Sequence, residues 1–170
     1  MRFRIAAVAL AALLLAGSVA FHAAAQSGES TPTLTLETLM RGTGLEHRRT
    51  QHGHFNVFFK AEAAKDIEGW AVLVRYNNPT TKDYVMVYCT MIDRPDGHRF
   101  PAAAVTAALA YNSRNLGAHM GLDQKAGDID VIWTVPTSHV TSGLLRYCIQ
   151  DVAATCDQNH NAFAKLAPAP

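Results

Sequence analysis

The chain has 170 residues, 49% of them hydrophobic, with 15 Lys and Arg against 14 Asp and Glu. No run of five like charges occurs and no basic face is visible beyond Arg48-Arg49, which argues against a nucleic-acid partner. Three cysteines with no C-x-x-C pair and no zinc-ligand spacing exclude a zinc ribbon and a thioredoxin-like motif.

Arg2 and Arg4, the apolar run 5–16 and the small residues Ala23-Ala24-Ala25 follow the order of a secretory signal peptide. Residues 1–25 are therefore expected to be removed before Gln26. The apolar run is shorter than the ~20 residues a membrane span needs, and no cysteine near the cleavage point offers a lipid anchor. The expectation is a periplasmic or secreted protein, free of the membrane after cleavage. What remains is the size of one domain with its own core.

Residues 26–32 are small, polar and Pro-terminated and read as a disordered leader; the domain is assigned to 33–163, and 164–170 to a disordered tail. Leu34, Leu36 and Leu39 predict a short helix over 33–40, ended by Gly42 and Gly44. A strand is the alternative, because Leu34 and Leu36 also fit a period of two. Three strands follow, at 54–60, 70–77 and 84–92, each alternating and rich in β-branched or aromatic residues. Phe55, Val57 and Phe59 form one face of the first; Val85, Val87, Cys89 and Met91 form one face of the third. Asn77-Asn78-Pro79 marks a turn, and the link 61–69 has room for a helical turn.

Pro101 opens a helix expected to run to Leu116, with Gly117 as its stop and a stripe of Val105, Ala108, Leu109, Asn112 and Leu116. Asn112, polar within that stripe, is expected to tie a neighbouring loop or strand edge through its amide, with a ligand contact as the alternative. Residues 120–122 and 129–135 flank a polar Gly-containing turn and predict a hairpin with inner face Ile129, Val131, Trp133 and Val135. Ser138 is placed as the cap of the last helix. In that helix Leu145, Cys148, Ile149, Val152, Cys156 and Phe163 fall within about 80° of arc at ~100° per residue, an amphipathic stripe that must cover a sheet. The order is α-β-β-β-α-β-β-α, a single α+β domain with an antiparallel sheet covered by helices.

Few residues suggest chemistry. His52 and His54, with His47 upstream, could face one ion from a strand, but no carboxylate or cysteine adjoins them and Gly53 argues for a turn. A solvated polar edge is the plainer expectation for them. No G-x-S-x-G elbow, phosphate loop or dinucleotide fingerprint occurs. Neither a catalytic set nor a cofactor is expected. Tyr147 lies opposite the core stripe with Gly143, Gln150 and Ala154, either as a plain surface tyrosine or as a protein contact.

Leu109-Ala110-Tyr111-Asn112-Ser113-Arg114-Asn115-Leu116-Gly117, then Met120-Gly121-Leu122-Asp123, Gly127-Asp128 and Ile129-Asp130-Val131-Ile132-Trp133-Thr134-Val135-Pro136, lead into the terminal amphipathic helix. This run resembles the type III secretion chaperone-like superfamily, which includes the YbjN-like domains. The resemblance implies a curved antiparallel sheet with helices packed on it, frequent homodimers and a binding module in place of a catalyst. Secretion chaperones are usually acidic and cytosolic, whereas this chain is near neutral with a signal peptide. The expectation is an exported interaction domain that binds another protein and forms a homodimer, with a small-ligand or metal-binding protein as the alternative, and an enzyme whose residues meet only in space behind both.

Cys148 and Cys156 lie ~12 Å apart along one helix, too far for a bridge, so either could pair only with Cys89. The element order returns the end of the last helix to the end of the Cys89 strand. The expected pair is Cys89 with Cys156, leaving Cys148 as a core thiol.

Overall fold

The computed structural model describes residues 35–94, 99–123 and 125–167. The expected signal peptide and leader lie outside them. Thr35 starts the described chain as an N-cap: its hydroxyl accepts from the Thr38 amide, and α1 follows at Leu36–Gly42. Thr43 closes α1, and Gly44 takes the positive φ of +69° that lets the chain leave. The helix expected over 33–40 thus exists, starting and ending later than its apolar spacing suggested.

A two-residue strand β1, Arg48–Arg49, precedes the three expected strands β2 (Phe55–Lys60), β3 (Gly69–Tyr76) and β4 (Tyr84–Ile92). Helix α2 (Ala102–Asn112), β5 (His119–Asp123), β6 (Asp128–Pro136), a 3₁₀ turn at Thr137–His139 and α3 (Ser142–Leu166) complete the order. The strands form one curved antiparallel sheet, β1-β2-β3-β4-β6-β5. The α+β class and the helix-covered sheet are as the sequence predicts, with β1 added at the edge.

Helix α3 lies across β3, β4 and β6 and also meets α1. Its expected stripe, Leu145, Cys148, Ile149, Val152, Cys156 and Phe163, is buried at every position. Each such aliphatic or aromatic side chain stabilises the fold by about 1.5–3 kcal/mol through burial. Opposite them stand Val72, Val74, Val85, Val87, Ile129 and Val131, one face of the sheet selected by the two-residue period.

Four local expectations are corrected. The cap of α3 is Thr141, whose hydroxyl accepts from the Leu144 amide; Ser138 sits in the preceding 3₁₀ turn. Helix α2 ends at Asn112, short of Gly117, and buries Ala104 and Ala108 while Leu109 and Leu116 are exposed. The small alanines let the helix lie close, so the leucines beside them face outward. The link is 61–68, an irregular loop with a single turn at 65–66, and Gly69 already begins β3. Of the expected disordered tail, 164–166 continue α3 and the N–H of buried Ala167 caps it on the Phe163 carbonyl, while 168–170 lie outside the described residues. Asn112 behaves as expected: its amide donates to the Met120 carbonyl at 2.9 Å and accepts from the Met120 N–H at 2.7 Å.

Candidate functional site

Two aspartates fix α3 on the sheet. Asp157 accepts from the amides of Glu62, Ala63 and Ala64 and from the Trp70 indole at 3.1 Å, gathering the β2–β3 loop onto the helix. Burial pushes its carboxyl up, but those four donors outweigh burial and hold it below the ordinary carboxylate value. Asp151 accepts from the Trp133 indole at 2.8 Å and from the Ala118 amide at 3.0 Å. Each tryptophan of the sheet is thereby anchored by one carboxylate of α3.

Between these anchors the sheet opens. β3 and β4 pair only from Leu73↔Tyr88 to Tyr76↔Val85, although β3 begins at Gly69 and β4 continues to Ile92. In the unpaired stretch β3 stays with β2 and β4 stays with β6, whose ladder is irregular between Thr90 and Ile92. The gap is a cleft of about 630 Å³, with Trp70, Cys89 and Met91 from the covered face and Ala71, Leu73 and Tyr88 from the other.

At the opening, side chains also reach main-chain carbonyls of β4. His160 Nδ1 lies 3.1 Å from the Met91 carbonyl, the Cys156 thiol donates to the Cys89 carbonyl at 3.9 Å, and the Cys89 thiol to that of Thr90 at 3.7 Å. His160 also meets Asp66 through Nε2 at 3.0 Å and sets its ring edge-on to Trp70 at 5.4 Å. The hydrogen bond from His160 is the main reason Asp66 is held below the ordinary carboxylate value.

An aspartate, a histidine and a cysteine therefore share one cleft. They are not arranged as a relay: His160 spends its second nitrogen on a main-chain oxygen, and the Cys89 thiol points to another. A nucleophile–base hydrogen bond is the first requirement of such catalysis, and this geometry directs both groups elsewhere. Arg94, buried at the cleft wall, stacks its guanidinium over Phe100 and donates to the Arg99 carbonyl.

No helix among the described residues covers the sheet face turned away from α3. Phe58 is 65% exposed and Tyr84 42%, and Leu73, Tyr88 and Ile132 are half-buried in one register row with Asn56. Two glycines are part of this surface. A Cβ on Gly69 would meet the Phe58 ring at 2.5 Å, and one on Gly121 would meet Ile132 Cδ1 at 2.8 Å. Each apolar side chain lies over the bare backbone of the neighbouring strand.

The residues singled out from sequence fall in separate places. Cys89 and Cys156 meet at the cleft as free thiols, not as the expected bridge, and Cys148 is a core thiol pushed up to about 11 by burial and by Asp151. Tyr147 is 56% exposed and edge-on to half-buried Trp133. His52 and His54 stand 6.2 Å apart by ring centre, with Gly53 at φ +76° between them. No group of three potential metal ligands occurs among the described residues. Asp151, Asp157, Asp66 and His160 were not anticipated. Their one sequence signal is His160 itself, a titratable residue within the buried side of α3.

No protein-family model matches the chain, and no curated protein does. Among solved structures it is similar to a chain of the HopA1–SchA chaperone–effector complex, at 13% identity over 74% of this chain and 90% of that one, with a TM-score of 0.51. It is also similar to a chain of the ExsC–ExsE complex, at 10% identity over 71% and 81%, with a TM-score of 0.45. The likeness is one of fold.

Proposed function

We propose that this chain is an exported, non-enzymatic, chaperone-like domain that holds a segment of another protein on the uncovered face of its sheet. The observation that carries this reading is that face itself: Phe58 and Tyr84 are exposed on it, Leu73, Tyr88 and Ile132 are half-buried, and no helix among the described residues is laid on it. Large apolar side chains left exposed on one face mark interaction sites. The likeness to a chain from a chaperone–effector complex supports the same class of role. Export to the periplasm or beyond rests on the signal-peptide pattern of residues 1–25. The finer kinship with YbjN-like domains rests on the resemblance of residues 112–136.

The test is retention of a partner from the exported fraction by the wild-type protein and by Phe58→Ser, with bound proteins identified by mass spectrometry. One specific partner held by the wild type and lost with the variant is expected. Equal retention by both would remove the binding face from consideration. The exported species should also begin at Gln26; an intact Met1 would overturn the export reading.

A homodimer through helix faces is part of the proposal, supported by exposed Tyr147 over Trp133 and by exposed Leu109 on the alanine-rich α2. Sedimentation should give a dimer that Tyr147→Ala weakens, and a monomer at high micromolar concentration would overturn it. A small-ligand role is the alternative reading, favoured by the 630 Å³ cleft and its buried Arg94. Ordered small-molecule density in that cleft, in protein purified from its source, would favour it.

A further inference from the structure

Cys89, near the end of β4, and Cys156, in the C-terminal half of α3, meet across the core where the sheet opens. The Cys156 thiol donates to the Cys89 carbonyl at 3.9 Å, which brings the two residues together. Cys148 lies two turns away along the same helix, with Asp151 beside it. Both meeting sulfurs are buried, and only Cys89 contributes to the cleft wall.

We infer that Cys89 and Cys156 form a disulfide that joins β4 to α3 at the cleft. The inference takes its oxidant, a disulfide donor of an oxidising compartment, from the export reading; its geometry is independent of that reading. Cys89 faces the cleft, so its thiolate attacks one sulfur of the donor, forming a mixed disulfide and expelling the donor's other sulfur as a thiolate. The Cys156 thiolate then attacks the Cys89 sulfur, closing the bridge and releasing the remaining donor sulfur as a thiolate. The two protons from Cys89 and Cys156 end on the donor's two sulfurs, and the donor is reduced by two electrons. The neighbouring Cys89 side chain, then burial, pushes the Cys156 thiol up in the dithiol state. Because the attacking group is the Cys156 thiolate, closure quickens as pH rises.

The bridge has a structural consequence. His160 follows Cys156 by four residues, one turn along the same side of α3. Fixing Cys156 to β4 also fixes His160 on the Met91 carbonyl and keeps the cleft wall in place. The two cysteines stand 67 positions apart in the chain, so the cross-link also restricts the unfolded chain.

The experiment compares two samples of full-length-expressed protein. One is reduced and then exposed to oxidised glutathione; the other is trapped by acid and alkylated directly from the exported fraction. Both are digested without reduction and mapped by mass spectrometry. The expected species in the glutathione sample is a linked peptide pair containing Cys89 and Cys156, lighter by two hydrogens than the separate peptides, and still present in Cys148→Ser. A Cys89–Cys148 link, or three alkylatable thiols after oxidation, overturns the pairing. The same link in the exported sample supports pairing and export together. A link in the glutathione sample alone supports the pairing and counts against the export reading.

Discussion

Val85, Val87 and Cys89 alternate along β4 with Tyr84, Met86 and Tyr88, and the two sets have opposite fates. The valines and Cys89 are buried against α3; the tyrosines and Met86 face outward, where no helix among the described residues covers them and the Arg75 guanidinium lies over Tyr88 and donates to the Met86 sulfur. The same holds on β2, where Val57 is buried and Phe58, its neighbour, is 65% exposed. Both faces carry apolar side chains, so hydrophobicity alone does not separate them. Coverage does: α3 is tied to one face by Asp151 and Asp157, while no element among the described residues supplies such ties on the other. The covered face gives the molecule its stability. The bare face keeps apolar area in contact with solvent, which a fold retains at a cost unless something binds there.

Truncation in the covered face should have the largest effect. Leu145 is fully buried at the start of the α3 stripe, so Leu145→Ala is expected to cost about 2–5 kcal/mol from lost burial and the cavity left behind. Chemical denaturation should show a lower midpoint with little change in slope. A loss no larger than that of a surface substitution would mean that α3 does not hold this face.

The ties come next. Asp157→Asn keeps the size but turns an amide N–H toward donors, and it should cost about 1–3 kcal/mol, as for other hydrogen bonds to a charged group. The pH sign follows from the depressed carboxyl. Its contribution is full above the ordinary value of 3.8 and fades as pH falls through the lower folded value. Asp157→Asn should therefore lose stability at neutral pH and converge with the wild type in strong acid. Parallel curves across that range would show that the charge on Asp157 is not what the Glu62–Ala64 amides and Trp70 respond to.

The covered face was legible in the sequence because both of its periods are local. Leu145 to Phe163 repeats at helical spacing, and the strands alternate, so burial could be assigned without knowing what pairs with what. α2 was misjudged for the opposite reason: Ala102 to Ala110 is apolar nearly all round, and no period distinguishes Ala104 and Ala108 from Leu109. The cleft was out of reach for a third reason. It exists because the β3–β4 ladder stops at Leu73↔Tyr88, and register between strands is a long-range property. His160, Asp66 and Met91 come together only after that stop. The meeting of Cys89 and Cys156 was legible because it needed element order alone, not register.

The smallest effect on stability, and the sharpest contrast between the faces, is expected at Phe58. Its ring is mostly in water, so removing it forfeits little burial; what it loses is its contact over Gly69, where no side chain can take its place. Phe58→Ser should change the unfolding free energy by less than about 1 kcal/mol, within the range of ordinary surface substitutions. The same change should abolish retention of the partner if the ring is a buried anchor in the complex, since truncating an aromatic anchor commonly costs about 2 kcal/mol or more, about 30-fold in affinity. Denaturation and binding measured on one preparation separate the two roles. A large stability loss would make Phe58 part of the fold's own support and leave the uncovered face without its leading contact, whereas a stable variant with unimpaired binding would move the partner to another surface.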